Sequence, residues 1–281
     1  MEMFDCIIIG AGPAGLSAGI NLVQRGKKCV ALSGGDNLLR KAEKVENYLG
    51  MPTMSGSEMM DSFVKHAIKQ GVEIRNGIAA NVYPSGNEFL VNFAGDIISA
   101  KTVIITSGIA KAKQIKGEGE YLGRGVSYCA TCDGMLYKGK AIAVWGLDAD
   151  APREANYLLD IGCTVSYIAA VRPDNLAADI RYIAGAPSEV IGGDIVNGVK
   201  VNDTIYPING LFILRSSIAP SALLPGIEIE EGFIKVNNKA ATNIKGVYAA
   251  GDVVGKPLQV ANAVGDGLVA ALSAAEYIDK L

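Results

Sequence analysis

The sequence predicts an α/β fold made of two nucleotide-binding-type units, because a strand–helix–strand pattern occurs twice along the chain. The first occurrence combines a strand at Phe4–Ile9, a helix at Pro13–Arg25 and a strand at Lys28–Leu32. The second combines a strand at Ala141–Trp145, a helix at Pro152–Ile161 and a strand at Thr164–Ile168. The chain has 281 residues, 49% of them hydrophobic, so it is long enough for two separate cores.

Local signals define the remaining elements. Ser55 and Glu58 have the spacing of a capping box ahead of a helix that extends to about Gln70. Short strands are expected between 72 and 105, with a hairpin turn at Pro84-Ser85-Gly86-Asn87. An apolar strand at 246–250 ends in Gly-Asp, and a long helix at Val260–Tyr277 closes the pattern.

Composition excludes several classes of function. The net charge of −3 gives no electrostatic reason to expect nucleic acid as a partner. No apolar run approaches the roughly 18 to 20 residues that span a bilayer, so no membrane association is expected. The N-terminus leads directly into a strand without a basic region, which argues against a signal peptide and favours the cytoplasm.

A glycine loop, Gly10-Ala11-Gly12-Pro13-Ala14-Gly15, joins the first strand to the first helix. In this context the glycines allow a pyrophosphate to approach the backbone and the positive end of the helix, as in a Rossmann-type dinucleotide site. A purely structural turn is the weaker alternative. The acid expected after the second strand to hold a ribose is replaced by Ser33, so a hydroxyl, the backbone or Asp36 would take that role.

Two of the five cysteines stand in redox spacing, in the run Cys129-Ala130-Thr131-Cys132-Asp133. In a reducing compartment such a pair is more often catalytic or metal-binding than structural. Zinc is not expected, because a four-ligand site would need a second cysteine or histidine pair and the single histidine, His66, lies in the helical pattern Glu58–Gln70. A CxxC turn at a helix start favours a reactive thiolate, and Asp133 would relay a proton or complement the helix dipole. Cys6, Cys29 and Cys163 are expected to be buried apolar residues.

Four runs together resemble the low-molecular-weight thioredoxin reductases: 10–16, 45–50, 123–134 and 246–252. The resemblance covers most of the chain. It implies two Rossmann-like (three-layer ββα) domains, with the second inserted into the first. An FAD-binding domain would comprise 1–113 and 240–281, and a CxxC-bearing domain of the pyridine-nucleotide type would comprise 114–239.

The resemblance also implies site roles, a homodimer, and thioredoxin as partner. Cys132 would face the flavin, Cys129 would exchange with the partner's disulfide, and Asp133 would be the acid. The residues expected to contact FAD are Gly10, Gly12, Pro13, Ala14, Gly15, Ser33, Asp36, Asn47, Ala79, Thr106, Gly108, Gly251, Asp252, Gln259 and Val260.

The second glycine loop departs from the family pattern. The run Gly146-Leu147-Asp148-Ala149-Asp150-Ala151 has Asp148 where the family has its middle glycine. Repulsion between a carboxylate and a pyrophosphate charge about 4 Å away is roughly 4 kcal/mol at an effective dielectric of 20, or about three decades in affinity.

A second departure follows the next strand, where the family's His-Arg-Arg cluster grips the extra phosphate of NADPH. Here the stretch is Ala169-Ala170-Val171-Arg172-Pro173. The two losses predict a donor other than NADPH, and the combination resembles the ferredoxin-dependent flavin thioredoxin reductases. Electrons would then pass from reduced ferredoxin through FAD and the cysteine pair to thioredoxin.

Three alternatives remain open from the sequence. One is an NADPH-dependent thioredoxin reductase with an atypical loop, in which Arg172 or Arg181 replaces the missing cluster. Another is a flavin dithiol oxidase that passes electrons from a small dithiol to oxygen. The third is a redox-sensing flavoprotein whose disulfide controls partner binding.

Overall fold

A computed structural model describes residues 2–34, 37–108, 114–215 and 218–281, and it describes the backbone but not the side chain of Cys132. The strands are β1 (Met3–Ile9), β2 (Cys29–Ser33), β3 (Glu73–Asn76), β4 (Ala79–Ser85), β5 (Glu88–Phe93), β6 (Asp96–Ile105), β7 (Val126–Ser127), β8 (Ala141–Gly146), β9 (Thr164–Ala169), β10 (Arg181–Ala184), β11 (Pro187–Gly192), β12 (Val196–Val201), β13 (Thr204–Pro207), β14 (Gly210–Leu214), β15 (Ile229–Glu230), β16 (Phe233–Ile234) and β17 (Val247–Ala249). The helices are α1 (Pro13–Val23), α2 (Gly56–Lys69), α3 (Ala130–Asp133), α4 (Ala151–Asp160), α5 (Pro220–Leu223) and α6 (Val260–Ile278), with 3₁₀ turns at Leu38–Lys41, Gly134–Tyr137 and Gly251–Val254.

The chain forms two compact units. The first contains 1–93, 97–111 and 219–281, and the second contains 94–96 and 112–218. The resemblance assigned 219–239 to the inserted domain, whereas these residues belong to the first unit. They do so because α5 contacts β4, and β16 contacts the 3₁₀ turn at Gly251–Val254. The expected first boundary, at Lys113, lies outside the described residues.

The first unit is built on a sheet with the strand order β3-β2-β1-β6-β5-β4, and β17 pairs with β6. Strands β1, β2, β3, β6 and β17 are parallel, while β4 and β5 form the predicted hairpin. Helices α1 and α6 lie against each other over this sheet, so closely that a Cβ on Gly267 would be 2.1 Å from the carbonyl oxygen of Ala14. The predicted capping box of α2 is present, since Ser55 and Glu58 bond reciprocally.

The second unit has a parallel sheet with the order β10-β9-β8-β14-β7, and β11, β12 and β13 form a separate antiparallel sheet. Helix α4 packs on β8 and β9, and β12 contacts β14. Parallel strands bring their carboxyl ends to one edge, where ligands bind in α/β folds. The redox turn at α3 follows β7, and the second glycine loop follows β8. Among the described residues, no helix has both the length and the apolar character needed to cross a membrane.

Candidate active site

The first glycine loop has a backbone that only glycine permits. Gly10 has φ +117°, and a Cβ there would be 2.3 Å from the carbonyl oxygen of Thr106. A Cβ on Gly15 would be 1.9 Å from the carbonyl oxygen of Gly10. The Thr106 hydroxyl donates to that same Gly10 oxygen at 2.8 Å, so the loop and the end of β6 are held together.

Helix α1 begins at this loop with an open N-terminus. Gly12 is its N-cap, none of the described side chains caps the helix, and its first turn contains no acid. Pro13 is the first helical residue, where its missing N–H costs nothing. An uncapped helix start beside a backbone of glycines fits the pyrophosphate of a dinucleotide.

Other residues expected to contact FAD lie in the same unit. Asn47 donates to the side-chain oxygen of Gln259 at 2.9 Å, and Gln259 is the N-cap of α6, which likewise has no side-chain cap. Burial raises the pKa of Asp252, with a contribution from the nearby carboxylate of Asp266. A Cβ on Gly251 would be 2.8 Å from the Cβ of Ala14.

The other residues expected to contact FAD, apart from Asp36, are placed in the first unit by their secondary structure, without a described side-chain contact to the glycine loop. Ser33 ends β2, Ala79 begins β4, and Gly108 has φ +69°. Val260 is the first residue of α6. Asp36 lies outside the described residues.

Two further polar residues at this site were missed from the sequence. Asn37 lies close to the loop, because a Cβ on Gly12 would be 3.1 Å from its Nδ2. Its position just after β2, where a ribose ligand is expected, was the available signal. The Ser107 hydroxyl is buried and has no hydrogen-bond partner among the described residues. A buried hydroxyl requires a partner, so Ser107 fits a polar group of a bound flavin nucleotide.

The redox turn occupies α3 in the second unit. Cys129 is disulfide-bonded and half-buried, and its sulfur lies 3.4 Å from the hydroxyl of Thr131. The side chain of Cys132 lies outside the described part of the structure. Cys6, Cys29 and Cys163 are free and buried, as predicted. Burial raises the pKa of all three, to about 12 for Cys29, so they are unreactive thiols.

Asp133 is held by a residue that sequence reasoning missed. The Ser127 hydroxyl donates to Oδ2 of Asp133 at 2.7 Å and accepts the N–H of Cys129 at 3.1 Å. Ser127 is buried at the end of β7. A single hydroxyl therefore fixes the acid relative to the cysteine, and only the fold shows this.

A buried ion pair contacts the residue that precedes the redox turn. Glu118 is fully buried, and its Oε1 accepts hydrogen bonds from the Tyr128 hydroxyl and the Arg215 guanidinium, each at 2.8 Å. Arg215 is only 4% exposed and lies over the rings of Tyr128 and Trp145. Because Tyr128 precedes Cys129 directly, this cluster anchors the start of the redox turn.

The second glycine loop has a closed helix start. Oδ1 of Asp148 accepts the N–H groups of Asp150 at 3.1 Å and Ala151 at 2.8 Å. Pro152 has no N–H, and the next two amides, at Arg153 and Glu154, bond to the carbonyl oxygen of Asp150. Two amides that a pyrophosphate would use at α4, those of Asp150 and Ala151, are therefore already bonded to the Asp148 carboxylate.

A cleft of about 740 Å³ lies beside this loop, lined by the ends of β8 and β9. Tyr167 closes the approach to Gly146, where a Cβ would be 1.8 Å from the tyrosine hydroxyl. Arg172 is occupied in its own loop, donating to the carbonyl oxygens of Ala177 and Ile180. Arg181 lies over the ring of Tyr206. Both arginines considered as replacements for the phosphate cluster therefore have partners within the protein.

The class of this protein follows from its match to the family model for the pyridine nucleotide-disulphide oxidoreductases, over residues 4–182 and 218–267. The chain belongs to that family and, within it, to the thioredoxin reductases. It is 33% identical to the thioredoxin reductase of Bacillus subtilis (strain 168), covering 100% of this chain and 96% of that protein. It is 32% identical to the thioredoxin reductase of Aquifex aeolicus (strain VF5), covering 99% and 94% respectively. The family carries FAD, which is the cofactor of this chain.

Two solved structures are similar to this chain over nearly its whole length. A ferredoxin-flavin thioredoxin reductase from Clostridium acetobutylicum has a TM-score of 0.90 and 39% sequence identity, covering 100% of this chain and 99% of that one. A thioredoxin reductase from Gloeobacter violaceus has a TM-score of 0.83 and 28% identity, covering 99% and 95%.

Proposed function

We propose that this protein transfers electrons from reduced ferredoxin, through FAD and the Cys129/Cys132 pair, to thioredoxin, and that it does so without NADPH. The observation that carries the proposal is the difference between the two helix starts. No described side chain caps the N-terminus of α1, which is open to FAD, whereas the Asp148 carboxylate bonds the amides of Asp150 and Ala151 at the start of α4. The likeness to the ferredoxin-flavin enzyme of Clostridium acetobutylicum supports the choice of donor.

The chemistry at the redox turn is thiol–disulfide exchange. When bound, FAD supplies a group that accepts single electrons and delivers a pair to the enzyme disulfide. The Cys129 thiolate attacks the thioredoxin disulfide, forming a mixed disulfide and releasing one thioredoxin thiolate. Cys132 then attacks the Cys129 sulfur, which reforms the enzyme disulfide and releases the second thiolate. Asp133, whose Oδ2 accepts the Ser127 hydroxyl and is oriented by it, provides a proton to a departing sulfur.

The surface beside the turn suits a protein substrate. Met135 and Leu136 lie in the 3₁₀ turn Gly134–Tyr137 that follows α3, and they are 59% and 68% exposed. Single exposed apolar residues are ordinary, but an adjacent pair next to a reactive cysteine forms an apolar contact surface for a partner. This favours thioredoxin over the small dithiol of an oxidase. The same function, with the resemblance, implies a homodimer acting in the reducing cytoplasm.

An anaerobic titration of the purified flavoprotein tests the electron path. NADPH and NADH are added first, then photoreduced ferredoxin, then oxidised thioredoxin, while the visible absorbance of the flavin is followed. We expect pyridine nucleotides to leave the flavin oxidised, ferredoxin to bleach it and thioredoxin to restore it. Cys129→Ser serves as the matched control, since its flavin should still be bleached by ferredoxin but should not be restored by thioredoxin. Rapid bleaching by stoichiometric NADPH would refute the proposal.

A further inference from the structure

Helix α4 contacts the redox helix through a carboxylate. Glu154 lies one turn into α4 and is half-buried, and its Oε2 accepts the N–H of Ala130 at 3.3 Å. Ala130 is the first residue of α3 and follows Cys129 directly. The packing is close, since a Cβ on Gly134 would be 2.8 Å from Cδ2 of Leu158 on α4. The carboxylate is therefore held against the cysteine turn by the fit of two helices.

The charged groups near Glu154 lie both on α4 with its preceding loop and on the redox helix α3. Burial raises the pKa of Glu154 and its bond from Ala130 lowers it, while Asp148 and Asp150 on its own side raise it and Arg153 lowers it. On the facing element, the acid of the redox turn is Asp133. The surroundings of Cys129 thus include two carboxylates, at Glu154 and Asp133.

A carboxylate in this position opposes the usual effect of a helix start. The N-terminal end of a helix stabilises a cysteine thiolate, and a stabilised thiolate makes a dithiol a poorer reductant. Negative charge at the first amide of α3 acts in the opposite sense. It disfavours the thiolate, so the disulfide becomes the more stable state of the pair and the dithiol gives up electrons more readily.

We propose that Glu154 is a positioning residue that keeps the Cys129/Cys132 pair strongly reducing, by holding its carboxylate against the first amide of α3. This inference rests on the proposed role of the pair as the dithiol that reduces thioredoxin. The start of α4 would then have two roles. Asp148 excludes a dinucleotide, and Glu154 shifts the disulfide/dithiol equilibrium of the cysteine pair.

The test is a redox titration of the holoenzyme and of Glu154→Gln, in which the amide keeps an acceptor oxygen and the side-chain size but removes the charge. Each protein is equilibrated anaerobically in dithiothreitol buffers, where the enzyme disulfide and one dithiothreitol dithiol convert to the enzyme dithiol and cyclic dithiothreitol disulfide. Samples are quenched in acid, denatured and alkylated, and the number of alkyl labels on each chain is measured by mass spectrometry. With five cysteines in the chain, the oxidised form takes three labels and the reduced form five. We expect the equilibrium of E154Q to shift about tenfold toward the dithiol, equivalent to about 30 mV.

Two further variants separate charge from structure. Glu154→Asp keeps the charge and should stay close to the wild-type equilibrium. Asp160→Asn removes an exposed acid from the far end of α4 and should also leave the equilibrium unchanged. A wild-type equilibrium in E154Q, or an equal shift in D160N, would overturn the proposal. Because the titration contains neither ferredoxin nor thioredoxin, a wrong electron donor would appear only as absent ferredoxin-driven turnover, with the redox shift intact.

Discussion

Removing the carboxylate of Asp148 should create affinity for a pyridine nucleotide. Asp148→Gly removes a negative charge and frees two amides at the start of α4, those of Asp150 and Ala151. Repulsion between unit charges about 4 Å apart is roughly 4 kcal/mol at an effective dielectric of 20. Because Asp148 is only half-buried, screening reduces this to about 2 kcal/mol. Two amides that can bond a phosphate add about 1 kcal/mol each.

The sum predicts that D148G binds NADPH about 10²- to 10³-fold more tightly than the wild type does. Affinity is measured by anaerobic equilibrium dialysis on the holoenzyme. Asp148→Asn separates the two contributions, since its side-chain oxygen still caps α4 while the charge is gone, and it should show the smaller gain. Asp160→Asn, at the opposite end of α4, should show none. Micromolar NADPH binding by the wild type, or equal affinities in all four proteins, would show that Asp148 does not prevent the binding of a pyridine nucleotide.

Three other perturbations have defined outcomes. Arg215→Ala leaves the buried carboxylate of Glu118 without its cation and should lower the free energy of unfolding by about 3 to 5 kcal/mol in urea denaturation. Ser127→Ala removes the hydrogen bond that orients Asp133 and should slow thioredoxin reduction by about tenfold at unchanged flavin content. Burial raises the pKa of Tyr167 to about 12 from an ordinary value of 10. The folded protein therefore keeps this proton while the unfolded chain loses it, so stability should fall as pH rises from about 10 to 12, and Tyr167→Phe should reduce that fall.

Each of these outcomes has a matched control. Lys116→Ala breaks an exposed ion pair with Glu189 and should leave stability nearly unchanged; an equal loss in both variants would contradict the importance of burial. Ser127→Thr restores a hydroxyl and should recover part of the rate, whereas full activity in S127A would exclude the positioning role. Tyr83→Phe changes an exposed ring and should leave the alkaline slope as in the wild type.

Local pattern was sufficient for most of the fold. Strand β1, the glycine loop and α1 were predicted because turn chemistry and apolar periodicity act over a few residues. The capping box at Ser55 and Glu58 and the hairpin after β4 follow from equally short-range rules. The second boundary between the units did not follow, because the place of 219–239 depends on contacts with β4 and with residues 251–254.

At the site, the residue types could be predicted from the sequence alone, whereas the partners of these residues follow from how the chain folds. The CxxC turn and the acid in the second glycine loop can be recognised in the sequence, because each is defined by residues that are neighbours along the chain. That Asp148 bonds the amides of its own helix depends on the backbone path between β8 and α4. The contacts of Glu154 with Ala130 and of Arg215 with Glu118 join residues 24 and 97 positions apart. Such pairs are specified by the packing of whole elements, which the chain satisfies only when folded.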